Sequence, residues 1–165
     1  MPVLGYSGIV DSMNEKKELH YIARNRKARH DYHIHNTYEA GIELKGSEVK
    51  SLREGKVNLS DAYAVVENGE VILKKLHISP YKMANEEHDP IRPRRLLLHK
   101  REIRKLFTLT EQRGYTLIVL AMYFLNNLAK VELAVAVGRK NYDKRRQLDK
   151  ADIDRQMRQA KHKKY

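Results

Sequence analysis

The sequence predicts a mainly β domain with peripheral helices, a small antiparallel barrel that ends in a disordered or conditionally helical charged tail. Three observations carry that prediction. Several short stretches alternate apolar and polar residues with period two and are separated by turn signals. Two stretches between them, near residues 47–54 and 99–113, change to a helical period. After Gly138 large apolar residues become scarce and cations dense.

The central strand shows the alternation most plainly. Tyr38, Ala40, Ile42 and Leu44 fall on one face, and Glu39, Gly41, Glu43 and Lys45 on the other. Gly46 breaks the strand. Ser47 suits an N-cap, and Glu48 lies at the positive end of the helix that follows. On that helix Val49 and Leu52 form a small apolar stripe and Lys50 and Arg53 a cationic one, with Gly55 as the stop.

Alternation resumes over residues 57–66. Glu67-Asn68-Gly69-Glu70 then signals a hairpin, because Asn-Gly accepts the positive φ values of a type I′ turn. Residues 71–78 form the return strand, stopped by Pro80, and residues 81–93 read as a polar, mobile connection. From His99 to Arg113 the period is helical, with Ile103, Leu106, Phe107 and Thr110 on the core side and Gly114 as the cap. Residues 115–125 and 130–137 complete the strands. Short strands, hairpin turns and one covering helix make an OB-fold-like barrel, an architecture that often binds nucleic acid on its polar strand faces.

Upstream, residues 14–22 are charged and mildly helical in propensity, and the leader before Met13 is read as an extension outside the fold. Residues 23–32 are dense in cations with small residues between them, either a solvated basic turn or a stretch facing phosphates. His30, His33 and His35 raise the question of a metal, with His33 and His35 on one strand face. No carboxylate pair stands at a recognisable ligand spacing, and no metal or other cofactor is expected. In the tail, Ile153, Met157 and Ala160 form a thin stripe at helical spacing. Too little apolar area is available there to offset ordering entropy, so the tail is either a solubilising segment or one that becomes helical against an RNA or ribosomal surface.

Composition narrows the partner. In 165 residues, 33 Lys and Arg outnumber 21 Asp and Glu, a net charge of +12 that favours a polyanion. Cysteine is absent, which excludes disulfide scaffolds and thiolate metal sites and suits a reducing cytoplasm. The apolar run at 116–125 falls short of the roughly 18 residues a membrane helix needs. The first residues lack the charged and apolar blocks of a signal peptide, so a cytoplasmic chain without a membrane partner is expected.

Five ordered motifs then converge. They are Asn25-Arg26-Lys27-Ala28-Arg29-His30-Asp31-Tyr32, Glu39-Ala40-Gly41, Gly46-Ser47-Glu48-Val49-Lys50-Ser51-Leu52-Arg53, Arg95-Leu96-Leu97-Leu98 and Gly138-Arg139-Lys140-Asn141-Tyr142-Asp143-Lys144-Arg145. Together they resemble the SsrA-binding protein family (small protein B, SmpB) of bacterial trans-translation. Ser47, Ala62 and Arg139 depart from the family's usual residues, the last with its charge preserved.

The resemblance implies a non-enzymatic adaptor that binds the tRNA-like domain of transfer-messenger RNA and brings it, with elongation factor Tu, to stalled ribosomes. It implies an RNA-contacting set of Asn25, Arg26, Lys27, Arg29, His30, Glu39, Lys45, Glu48, Lys50, Arg53, Leu97, Lys130, Arg139 and Lys140. A ribosome-contacting set would be Tyr142, Asp143, Lys144, Arg145, Lys150, Ile153, Arg155, Met157, Arg158 and Lys161, with the tail in the empty mRNA channel near the small-subunit decoding centre. The chain then divides into an extension at 1–22, a monomeric RNA-binding barrel at 23–138 and a basic tail at 139–165. Two alternatives stay open from sequence: a ribosomal or ribosome-assembly protein, and a metal-dependent RNA-processing enzyme built on His30, His33, Glu39 and Glu43.

Overall fold

A computed structural model describes residues 18–162; the leader before Met13 and the last lysines of the tail lie outside the described residues. The elements in chain order are β1 (Leu19–Arg24), α1 (Arg26–Asp31), β2 (Tyr32–Ile42), α2 (Gly46–Arg53), β3 (Val57–Asn58), β4 (Tyr63–Glu67) and β5 (Glu70–Lys74). There follow β6 (His77–Ile78), β7 (Arg94–Leu97), α3 (Lys100–Glu111), β8 (Thr116–Leu125), β9 (Leu128–Gly138) and α4 (Arg139–His162).

The main sheet runs β1-β8-β4-β5-β7-β2-β9, and β9 pairs back onto β8. Strands β8, β4, β5, β7, β2 and β9 therefore close into an antiparallel ring, which removes the free edges an open sheet would expose. β9 occupies one edge of β8 along its whole length. The other edge is shared, by β4 at Leu117 and Ile118 and by β1 from Ala121 to Leu125.

The apolar run of β8 reflects burial on both faces. Leu117, Val119, Met122 and Phe124 join Val131, Leu133 and Val135 of β9 in the barrel interior. Ile118 and Leu120 join Ala134, Ala136 and Ala28 in a second cluster beneath α1. A register shift between Val119 and Ala121 moves the inward-facing positions from odd to even numbers.

Several sequence expectations are corrected. Residues 19–24 form a strand, because the free half-edge of β8 supplies a hydrogen-bonding partner that outweighs a mild helical propensity. The 57–66 stretch divides into β3 and β4 around a turn closed by the Ala62 amide and the Leu59 carbonyl, at 3.1 Å. The return strand breaks at Lys75, whose φ is 57°. The Asn68-Gly69 turn has the expected positive φ at both positions, 51° and 73°, and Glu67 pairs with Glu70 across it. On α3, Ile103, Leu106 and Leu109 face the core, whereas Phe107 is 49% exposed.

The loop before β7 is tied down from inside. Glu48 is fully buried and accepts hydrogen bonds from the Arg92 and Arg94 guanidinium groups and, at 2.9 Å, from the Lys45 amide. Arg94 also donates to the carbonyls of Leu76 and Pro90, at 2.8 and 3.2 Å. Buried His88 bridges the Ser47 hydroxyl and the Ile78 carbonyl, each at 3.0 Å. Ser47 thus pins the loop, and Lys45 is the N-cap residue of α2. Residues 139–162 form the helix α4, which buries none of its side chains, whereas helix was expected there only against an RNA or ribosomal surface.

Candidate nucleic-acid interface

Antiparallel register sets a row of side chains across the outer face of five strands. Leu97 of β7 pairs with Gly41 of β2, Gly41 with Lys130 of β9, Lys130 with Tyr123 of β8, and Tyr123 with Tyr21 of β1. A second row, shifted by one outward position, runs Glu39, Glu132, Ala121 and Arg24. Leu97 and Tyr21 are 48% and 42% exposed, apolar surface in a field of charge.

The rows are held rigidly. Tyr123 donates its hydroxyl to Glu39, and the Tyr21 and Tyr123 rings meet at 5.6 Å, tilted by 57°. The Arg24 guanidinium covers Tyr21 at 3.9 Å. Burial, and then the Glu39 carboxylate, push the Tyr123 phenol far above its usual range, so it keeps its proton and stays a donor. Glu39 is aimed outward with acceptor capacity left over, suited to a base amino group or a 2′-hydroxyl. At Gly41 a Cβ would stand 3.2 Å from the Leu97 Cβ, so glycine here lets the Leu97 side chain lie down on the sheet.

Helix α1 flanks this face. The Asn25 side-chain oxygen caps α1 by accepting from the Ala28 amide at 3.1 Å, and its amide donates to the carbonyls of Leu59 and Val119. Asn25 thus positions α1 while staying half-buried at the edge of this face. Ala28 packs on Ala134 and Ala136, small residues that let the helix approach closely. Arg26, Lys27, Arg29 and His30 project outward from it, Arg29 reaching Glu132 at 3.4 Å. A recess of about 220 Å³ lies between Tyr21, Arg24, Arg26 and Arg29.

On α2, Lys50 and Arg53 are exposed, poised over the rings of Tyr81 and Phe124 at 5.5 and 5.1 Å, and Lys45 is exposed at its start. Glu48 is the correction here. Burial would raise its pKa, but Arg92, the Lys45 amide and Arg94 outweigh it and hold the carboxyl below the ordinary range. It offers no surface to a ligand.

The tail leaves the far end of the barrel through a clasp. The Tyr142 ring stacks on His33, and Arg145 covers Tyr115 at 5.7 Å while donating to the Arg113 carbonyl. His35 stacks on the same Tyr115 at 5.1 Å, and Arg139 donates to the Arg29 carbonyl at 3.4 Å. Lys140, Asp143 and Lys144 are exposed beside the clasp. Lys150, Ile153, Arg155, Met157, Arg158 and Lys161 are exposed farther along α4.

A strand irregularity between Ile34 and Asn36 separates His33 and His35, and each imidazole has its own aromatic partner. His30 meets Asp31, Glu39 meets Tyr123 and Glu43 meets Arg95. The residues of the metal-enzyme alternative are thus engaged in different places. Among the described residues no three His, Asp or Glu side chains gather as a metal-holding group.

Sequence reasoning missed Tyr21, Arg24, Tyr123 and Glu132. Tyr21 lies in the stretch read as mildly helical, Arg24 in the cation-dense stretch left open as a basic turn or a phosphate-facing segment, and Tyr123 is hidden in a run with no alternation. Glu132 carries a signal in the sequence, since Lys130 and Glu132 alternate with apolar Val131, Leu133 and Val135.

The family model for the SmpB protein matches residues 22–163. The chain belongs to the SmpB family. An SsrA-binding protein of Halothermothrix orenii is 60% identical over 140 residues, covering 84% of this chain and 90% of its own. One from Clostridium botulinum is 56% identical over 152 residues, covering 89% and 97%. Among solved structures, a chain from "tmRNA-SmpB: a journey to the center of the bacterial ribosome" is 52% identical with a TM-score of 0.60, covering 70% of this chain and 82% of its own. For this SmpB-family barrel, no helix among the described residues is long and apolar enough to cross a membrane.

Proposed function

We propose that this SmpB-family chain is the RNA-binding adaptor of trans-translation, delivering transfer-messenger RNA to stalled ribosomes. The observation that carries the reading is the row Leu97, Gly41, Lys130, Tyr123 and Tyr21 with Glu39 and Arg24 beside it. It combines apolar and aromatic surface for unstacked bases, cations for phosphate and one fixed carboxylate for a base edge or ribose. The chain acts by binding, without a chemical step of its own.

The finer assignments follow from that division of surfaces. The row, α1 and the cationic side of α2 take the tRNA-like domain. Tyr142, Asp143, Lys144 and Arg145 with the exposed length of α4 take the small-subunit decoding centre and the empty mRNA channel. Elongation factor Tu joins through the delivered RNA, and the adaptor works as a cytoplasmic monomer.

Truncation after Tyr142 tests this in a reconstituted translation system stalled on a message without a stop codon. Affinity for the tRNA-like domain should stay within about twofold while tagging of stalled products is abolished. Loss of RNA binding on truncation would place α4 inside the RNA site and overturn the division.

A further inference from the structure

Helix α3 carries a cationic surface that neither candidate set uses. Lys100, Arg101, Arg104 and Lys105 are all exposed, and among the described residues none of the four makes an ion pair. They fall within the first two turns of a helix anchored by buried Leu106 and by Ile103 and Leu109. The one acidic side chain of that first turn, Glu102, is turned back to accept from the His99 amide at 3.2 Å. The charge is therefore neither neutralised nor mobile in position.

Its placement gives the charge a use. Lys100 follows Leu97, the exposed end of the outer-face row, by one short step of chain. Beyond the other end of α3, the Arg113 carbonyl accepts from Arg145 at the root of the tail. Twelve helical residues span about 18 Å, and the four cations occupy the half of α3 nearest the outer-face row. Cations three and four apart on a helix stand about 5–6 Å from one another at Cβ, a spacing that lets successive side chains reach successive phosphates of one strand.

We propose that the exposed face of α3 is a further phosphate-binding surface, taking the backbone of an RNA helix that continues from the outer-face row toward the tail root. The inference extends the adaptor reading and rests on it for the polyanion being RNA. Because the contacts are to phosphate, the surface adds affinity and orientation without sequence preference.

The test uses the full chain with Lys100→Gln, Arg101→Gln, Arg104→Gln and Lys105→Gln combined, and Arg104→Gln/Lys105→Gln as a milder second variant. The probes are an RNA duplex of arbitrary sequence and the tRNA-like domain, each titrated across a salt series. The fourfold variant should lower the slope of log K against log salt for the duplex by about 3, and the double variant by about half that. Preference for the tRNA-like domain over the duplex should not fall. A slope change below about 1 in both variants, with unfolding midpoints unchanged, would overturn the proposal. A parallel Glu39→Gln/Lys130→Ala variant separates the readings: if it keeps its preference for the tRNA-like domain, the row assignment fails, whatever the α3 slopes show.

Discussion

The Tyr142 ring lies flat on the imidazole of His33, centroids 3.7 Å apart and planes 12° from parallel. It joins the first turn of an otherwise unburied helix to a strand of the barrel. Such an aromatic pair contributes about 1 kcal/mol beyond its buried area. Tyr142→Ala should therefore free the root of α4, lowering backbone order parameters through residues 139–146 while those of β2 and β9 stay unchanged. Unchanged order along α4 would mean that Arg139 and Arg145 hold the root without the stack.

Glu48 predicts a stability change with a defined pH sign. Its carboxyl is depressed in the fold, so its contribution is complete above the unfolded carboxylate value near 4.3 and is lost as pH falls through the lower folded value. Glu48→Gln leaves Arg94, fully buried, without its counter-charge and should cost about 3–5 kcal/mol at neutral pH by urea unfolding. The deficit should shrink below pH 4. A constant deficit would show that shape rather than charge is what the glutamine disturbs.

Gly41→Ala tests the row through packing. The added Cβ would stand 3.2 Å from the Leu97 Cβ, so Leu97 must shift by a few tenths of an ångström to admit it. The variant should lose about 1 kcal/mol of stability. It should also weaken binding to the tRNA-like domain as strongly as Leu97→Ala does, which an affinity titration of both variants checks.

Lys50→Ala and Arg53→Ala address α2. Each should lower the salt slope of RNA binding by about 1 if it meets a phosphate. Arg53→Ala also removes the cation above Phe124, so a fall in stability with an unchanged slope would assign Arg53 to the barrel end rather than to RNA.

The fold was legible where one face of an element is wet. Alternation in β2 and the Asn68-Gly69 turn could be read directly, because solvent on one side imposes period two and a tight turn demands positive φ. It was illegible where both faces are buried. The register shift after Val119 and the helix laid over Ile118 and Leu120 erase alternation in β8, and that concealed Tyr123. β1 could not be found locally, since its partner edge lies about a hundred residues away in sequence. The candidate site was legible as chemistry but not as geometry: Glu39, Leu97 and Lys130 could be named, whereas the burial of Glu48 depends on Arg92 and Arg94 and the fixing of Asn25 on Leu59 and Val119, all distant in the chain.

In this reading the outer-face row selects a tRNA-like RNA rather than attracting any polyanion. That selection is tested most directly by titrating the full chain with the tRNA-like domain of transfer-messenger RNA, alanine tRNA and an equal mass of small-subunit rRNA fragment, across a salt series. Binding to the first should be tight and survive moderate salt, with the other two weaker and falling away. Equal, steeply salt-sensitive binding to all three would contradict it and reduce the row to part of a general basic surface.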